Sequence, residues 1–299
     1  MEYSPKKMSD NLSSNGFNFK KKFGQNFIVD ENIINSIIDK SHIDNDTLVI
    51  EIGPGAGSLT DKLTQKAKYV LCYEIDEEVI PYLKDNLKEY NNYNVILGDF
   101  LKRDVNLDIK LFKKNNLEII FKDFLESNVK EDIKKYNYEK LYVIANLPYY
   151  ITTPIIIKLI EDDLNVDKIV VMVQKEVGDR FKATPGSKDY SSLSVFLGYY
   201  YNIKKLMDVS RNVFIPKPNV DSIVVEFSKK DSLLYLKDTQ TFYKLIRDSF
   251  KQKRKTLKNN LKDYNLIKIE ETLKKYNFDL TVRAEQLPIE VFIDISNSL

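Results

Sequence analysis

Short β-branched runs alternate with amphipathic helical patterns from Leu48 onward, and this alternation constrains the chain more than any other feature. Strands separated by helix-length connections pair in parallel, with the helices covering the sheet. Residues 48–52 read as the first strand and 59–67 as its helix. Residues 69–74 form the second strand, 77–89 a helix, and 95–97 the third strand. Residues 141–145 and 169–173 supply two more strands around a helix at 153–161. Residues 220–227 alternate apolar and polar positions like a strand near the sheet edge, and Pro216 and Pro218 exclude helix just before them. Past Lys229 the strand pattern ends and residues 241–299 read as short helices. The expected fold class is therefore α/β, with a mainly parallel sheet over residues 17–230 and a small all-α C-terminal domain over 231–299. Residues 1–16 mix acids, lysines, serines and asparagines and are expected to form a disordered tail.

Composition excludes several chemistries. The single cysteine, Cys72, forbids disulfides within the chain and argues against a thiolate metal cluster. The single histidine, His42, follows a helical segment and is expected at the surface; no metal site is expected, and Ser-His-Asp chemistry is disfavoured. No apolar run approaches the roughly 20 residues of a membrane span, so a soluble, cytoplasmic protein is expected. Net charge is only +2, but its distribution is uneven. Lys20, Lys21 and Lys22 form one basic cluster, and Lys251, Lys253, Arg254, Lys255 and Lys258 another.

The stretch Glu51-Ile-Gly53-Pro-Gly55-Ala-Gly57 follows a strand and opens a helix. Glycines there let the backbone turn sharply and approach a ligand near a helix N-terminus. Glu74 ends the next strand, where a carboxylate can accept ribose hydroxyls. A tight turn beside a solvated glutamate would look the same, and dinucleotide enzymes share much of the pattern. Ser58, however, stands where the dinucleotide template wants its third glycine. Asp99 follows the third strand and could hold an adenine amine or merely cap a helix. An internal echo complicates the choice: the segment ending Gly-Asp99-Phe-Leu recurs as Lys-Asp123-Phe-Leu. Either copy could supply the strand and its terminal aspartate, the other being inserted.

Asn146-Leu147-Pro148-Tyr149-Tyr150 closes the fourth strand. This set suits methyl transfer to an amino group on an aromatic ring, whose delocalised lone pair is a poor nucleophile. The Asn146 side-chain oxygen and the Leu147 carbonyl can accept the amine hydrogens and aim the lone pair, with Pro148 fixing their geometry. Tyr149 offers a face on which a flipped base can stack. A strand-ending Asn with a Pro turn and a core Tyr is the plainer reading of the same residues.

With further stretches the chain resembles the small-subunit (16S) ribosomal RNA adenine N6,N6-dimethyltransferase family. They are Lys22-Phe-Gly-Gln-Asn-Phe27, Gln174-Lys-Glu-Val177, Pro185-Gly-Ser-Lys-Asp-Tyr-Ser191, Val213-Phe-Ile-Pro-Lys-Pro-Asn-Val-Asp-Ser222 and Arg254-Lys-Thr-Leu257. The resemblance implies a Rossmann-like methyltransferase domain that uses S-adenosylmethionine to dimethylate two adjacent adenines near the 3′ end of 16S rRNA. It implies cofactor contacts at Gln25, Asn26, Ile28, Gly53, Gly55, Glu74, Ile75, Asp99 and Asn146, and a target adenine sandwiched by Tyr149 and Phe214. Composition alone would make Phe214 a core aromatic. Asp99 lies 25 residues after Glu74, the family's spacing, whereas Asp123, 23 residues before Asn146, better matches the family's usual gap to that asparagine. Both remain open.

The cluster Lys251, Lys253, Arg254, Lys255 and Lys258 can lay a basic face on phosphates, extended by Lys20 to Lys22, Lys182, Lys188 and Arg211. The expected partners are 16S rRNA and the small ribosomal subunit, met by a monomer. The competing readings are a macrolide-resistance-type methyltransferase of large-subunit rRNA, a mainly non-catalytic small-subunit assembly factor, and a nicotinamide oxidoreductase. Leu147 and the Pro216-Lys-Pro218 stretch favour the small-subunit enzyme.

Overall fold

The computed structural model describes residues 26–111, 119–120, 138–162 and 164–299. The first elements are β1 (Phe27–Ile28), α1 (Glu31–Ser41), β2 (Thr47–Ile52), α2 (Ser58–Lys66), β3 (Tyr69–Glu74) and α3 (Ile80–Asn86). They are followed by β4 (Tyr93–Leu97), α4 (Val105–Leu111), β5 (Ile119–Ile120), β6 (Lys140–Asn146), α5 (Thr152–Glu161) and β7 (Lys168–Gln174). Then come α6 (Lys175–Phe181), α7 (Ser192–Tyr200), β8 (Tyr201–Val209), β9 (Phe214–Ile215) and β10 (Ser222–Lys229). The helices α8 (Thr239–Ser249), α9 (Leu257–Asn260), α10 (Leu266–Lys274) and α11 (Ile289–Ser298) complete the chain.

An eight-stranded sheet runs in the order β5-β4-β3-β2-β6-β7-β10-β8. Each pairing from β5 across to β7 is parallel, as helical crossovers require. Every residue of β2 and β3 is buried, which explains their unbroken apolar character. Helices anchor the sheet through local chemistry. Asp30 caps α1 by accepting from the Asn32 amide at 2.9 Å, and exposed His42 ends it in a left-handed conformation at φ 52°. Ile34, Ile37 and Ile38 of α1 and Leu59 and Leu63 of α2 belong to one apolar core with Val49, Val70, Val95 and Ile144 of the sheet.

The strand expected near the edge, β10, lies next to the edge strand, between β7 and β8, with Ser222 to Phe227 all buried. The edge belongs to β8, whose mixture of Asn202, Lys204 and Lys205 with Ile203 and Leu206 hides its strand signal. The internal echo has a simple outcome: both copies supply strands, β4 and β5, which pair in parallel with Val95 opposite Ile119. A separate two-stranded ribbon joins β1 to β9, with Ile28 opposite Phe214.

The described residues divide into two compact units, those up to 175 with 205–226, and 176–204 with 227–299. Residues 176–204, placed by their sequence with the sheet domain, thus fall in the helical unit. The reason is an aromatic core that no local pattern reveals: Tyr199 meets Phe242 at 5.3 Å between ring centroids, and Tyr190 meets Phe250 edge-on at 6.0 Å. Leu245, Ile269, Val291 and Phe292 fill the same core. The tail 1–16 and the cluster Lys20 to Lys22 lie outside the described residues. Among the described residues no helix is long and apolar enough to cross a membrane.

Candidate active site

A cleft opens at the C-terminal ends of β2, β3, β4 and β6, where the crossovers of a parallel sheet leave room for ligands. Eleven residues singled out from the sequence line it together: Asn26, Ile28, Gly53, Gly55, Glu74, Ile75, Asp99, Asn146, Leu147, Pro148 and Tyr149. Gln25 and Asp123 lie outside the described residues. Phe214 is not brought to the cleft. It is only 2% exposed in the apolar core with Ile28 and Ile34, held there by the pairing of β9 with β1. Phe214 thus packs as the core aromatic that composition suggests and does not line this cleft.

The glycine turn is shaped by a neighbour that its own sequence does not name. Gly55 adopts φ 56°, and a Cβ there would stand 2.3 Å from Cε1 of Phe27. Gly55→Ala is expected to cost about 2–4 kcal/mol, combining left-handed strain with overpacking. Thermal unfolding checks this; an unchanged midpoint would mean that the Phe27 ring swings away freely.

Glu74 is buried and holds the turn from below. Its Oε2 accepts the Gly55 amide at 3.0 Å, while Oε1 accepts the Ile75 amide at 2.8 Å and the Asp76 amide at 2.9 Å. Burial raises its pKa, and the three main-chain donors pull against that rise. Oε2, with one donor, keeps a lone pair for a ligand hydroxyl.

Asp99 caps the 3-10 turn Phe100–Lys102, accepting from the Leu101 amide at 3.0 Å, and it also lines the cleft. Behind it, Phe100 stacks edge-on against Tyr73 at 5.0 Å. A buried ion pair between Arg103 and Asp108 braces the same segment, and the Tyr73 hydroxyl donates to Asp108 at 3.2 Å. Neither Tyr73 nor this pair was legible as part of the site.

Asn146 donates through Nδ2 to the Asn26 carbonyl at 2.8 Å. That bond orients the amide and makes Oδ1 its acceptor end. The chain then turns: the Ile151 amide donates to the Pro148 carbonyl at 3.2 Å, and the Thr152 hydroxyl at 3.1 Å. Tyr149 is anchored at its far end, its hydroxyl 2.8 Å from Oγ of buried Ser222. Burial raises its phenol pKa, so it stays neutral.

Glu51 forms part of the lining and is 1% exposed, with the Cys72 thiol donating to its Oε2 at 3.8 Å. Burial pushes its pKa up from 4.5 to about 8. Folding therefore takes up a proton between those values, and the stability that Glu51 contributes falls as pH rises through that window. Relative to the parent chain, Glu51→Gln is expected to gain stability from pH 5 to pH 8, read from urea midpoints. A difference between the two chains that stays constant from pH 5 to pH 8 would show that Glu51 is already ionised in the fold across that range.

Lys251, Lys253, Arg254, Lys255 and Lys258 are all exposed in the helical unit, as are Lys182 and Lys188. Lys253 donates to the Lys188 carbonyl, which joins the two basic stretches, whereas Lys182 is paired with Asp179 at 3.1 Å. Arg211 is exposed in the other unit and donates to the Asn219 carbonyl at 2.7 Å. Among the described residues no cluster of His, Cys, Asp and Glu could hold a metal ion.

The sequence profile of the family described as ribosomal RNA adenine dimethylase matches residues 16–299. The chain belongs to that family. A protein of Staphylococcus haemolyticus named ribosomal RNA small subunit methyltransferase A is 44% identical over 254 residues, 85% of this chain and 78% of that protein. Its Bacillus pumilus namesake is 42% identical over 303 residues, covering 99% of this chain and 96% of that protein. Among solved structures, a dimethyladenosine transferase from Plasmodium falciparum superposes with a TM-score of 0.68 at 28% identity, covering 90% of this chain and 95% of that one. The 23S rRNA methyltransferase ErmE superposes at 0.65 but at 20% identity, covering 91% and 99%; it shares the adenine dimethylase's fold.

Proposed function

We propose that the chain transfers methyl groups from S-adenosylmethionine to the N6 amines of two adjacent adenines near the 3′ end of 16S rRNA, within the small ribosomal subunit. The observation that carries the reading is the convergence of Glu74, Asp99 and the Asn146–Tyr149 turn on one cleft in a ribosomal RNA adenine dimethylase.

S-adenosylmethionine, when bound, supplies a methyl group activated by its sulfonium. The residues of the cleft fit it. Glu74 Oε2 would accept ribose hydroxyls, Asp99 would accept the adenine amine, and Ile75 would cover an adenine face. Asn26, Ile28, Gly53 and Gly55 complete the binding surface. The substrate side is built by Asn146 and its turn. Asn146 Oδ1 and the Leu147 carbonyl accept the two N6 hydrogens, so the nitrogen pyramidalises and its lone pair turns away from the ring. Tyr149, tethered to Ser222, presents a face to the base. The nitrogen gains the methyl carbon as the carbon–sulfur bond breaks to leave a neutral thioether, and it sheds a proton to water, because amide and carbonyl acceptors hold a hydrogen without taking it. The exposed basic stretch from Lys251 to Lys258 would add salt-dependent affinity for phosphates.

Purified protein is expected to transfer labelled methyl to undermethylated small subunits and to yield dimethyladenosine. Label confined to large-subunit RNA would sink the substrate assignment. The relatives named for the small subunit favour it over the large-subunit alternative.

A further inference from the structure

The large apolar side chains of a cleft are normally buried, and Ile28 and Leu147 here are. Two others stay open to solvent, Ile75 at 44% exposure and Tyr150 at 56%. Apolar surface held open at the mouth of a cleft is covered favourably by a ligand. Ile75 already has that explanation. Tyr150 has none: Tyr149 beside it is committed to Ser222, and no sequence reading gave Tyr150 a task.

Its position supplies one. Tyr150 follows β6 and Asp99 follows β4, with β3 and β2 between those strands. The segments after β4 and β6 nevertheless converge. Helix α5 packs against the 3-10 turn Phe100–Lys102, and Asn106 Nδ2 donates to the Asp162 carbonyl at 2.9 Å. Tyr150 and Asp99 both line the cleft that these converging segments frame. We propose that Tyr150 is a cofactor-binding residue whose ring covers the adenosine half of S-adenosylmethionine, across from Ile75 and beside Asp99. The consecutive tyrosines thus divide the labour, Tyr149 toward the acceptor base and Tyr150 toward the donor.

The proposal rests on the cleft being the cofactor site. Calorimetric titration of the full chain tests it with two probes, S-adenosylhomocysteine and 5′-methylthioadenosine, which lacks the amino-acid half. Tyr150→Ala is expected to weaken both by a similar factor, about fivefold to tenfold, without moving the thermal midpoint. Tyr150→Phe is expected to retain both affinities. If only S-adenosylhomocysteine weakens, the ring covers the amino-acid half and the assignment fails. If neither weakens, it also fails, and a drop in RNA affinity instead would make Tyr150 an RNA contact. Ile75→Ala separates the two ideas. Weakening there with none at Tyr150 overturns only the proposal, whereas no weakening at either removes the cofactor reading beneath it.

Discussion

Asn146→Ala is expected to lower methyl transfer to small-subunit RNA by about 100- to 1000-fold, the usual effect of deleting one preorganised polar contact at a reacting atom. The variant loses Oδ1, the acceptor that aims the N6 lone pair, and also the Nδ2 bond to the Asn26 carbonyl. Asn146 is half-buried at the end of β6, so its truncation leaves the strand intact. RNA affinity is therefore expected to stay within about twofold, because phosphate contacts elsewhere dominate it. Single-turnover methylation and filter binding on the same preparation separate the two effects. Lost RNA binding with normal chemistry would refute the role given to Asn146. Asn146→Asp is a useful companion, since it keeps the acceptors but places a negative charge where an amide stood.

Glu74→Ala carries the second large effect, on the donor side. Its carboxylate gathers the amides of Gly55, Ile75 and Asp76, and the glycine turn depends on that anchor. Hydrogen bonds to a charged group contribute about 1.5–3 kcal/mol each, and buried donors left unpaired add their own desolvation cost. Affinity for S-adenosylhomocysteine is thus expected to fall by at least about 10- to 100-fold, the factor for one such bond to the ligand. The thermal midpoint should fall as well, because the turn loses its three-way tether. Full affinity in Glu74→Ala would mean that the carboxylate only supports the turn and touches no ligand. A lower midpoint with intact affinity gives that same answer, so folding defects do not obscure it.

Much of the site was legible because its parts are local. A strand ending in Gly-Pro-Gly, a carboxylate closing the next strand, and Asn-Leu-Pro-Tyr closing the fourth each announce themselves within a few residues. The parallel sheet then brings those strand ends together whatever the intervening helices contain. The elements that were missed lacked such signals. Strand β8 carries two lysines at the edge, which hide its strand pattern. Residues 176–204 look like more of the sheet domain until Tyr190 and Tyr199 are seen among Phe250 and Phe242.

By itself the sequence determined the strand-and-helix frame, the glycine turn with its acidic partner, the aromatic-amine motif and the family. Those depend on periodicity and on residue types a few positions apart. Only the tertiary structure decided that Phe27 requires Gly55 to lack a side chain, that Asn26 orients an amide 120 residues away, and that Asp99 and Tyr150 line the same cleft. It also decided that Phe214 lies in the core. The physical reason is common to all four. Burial and hydrogen-bond partnership are properties of where chain segments meet, and no pattern within either segment records the meeting.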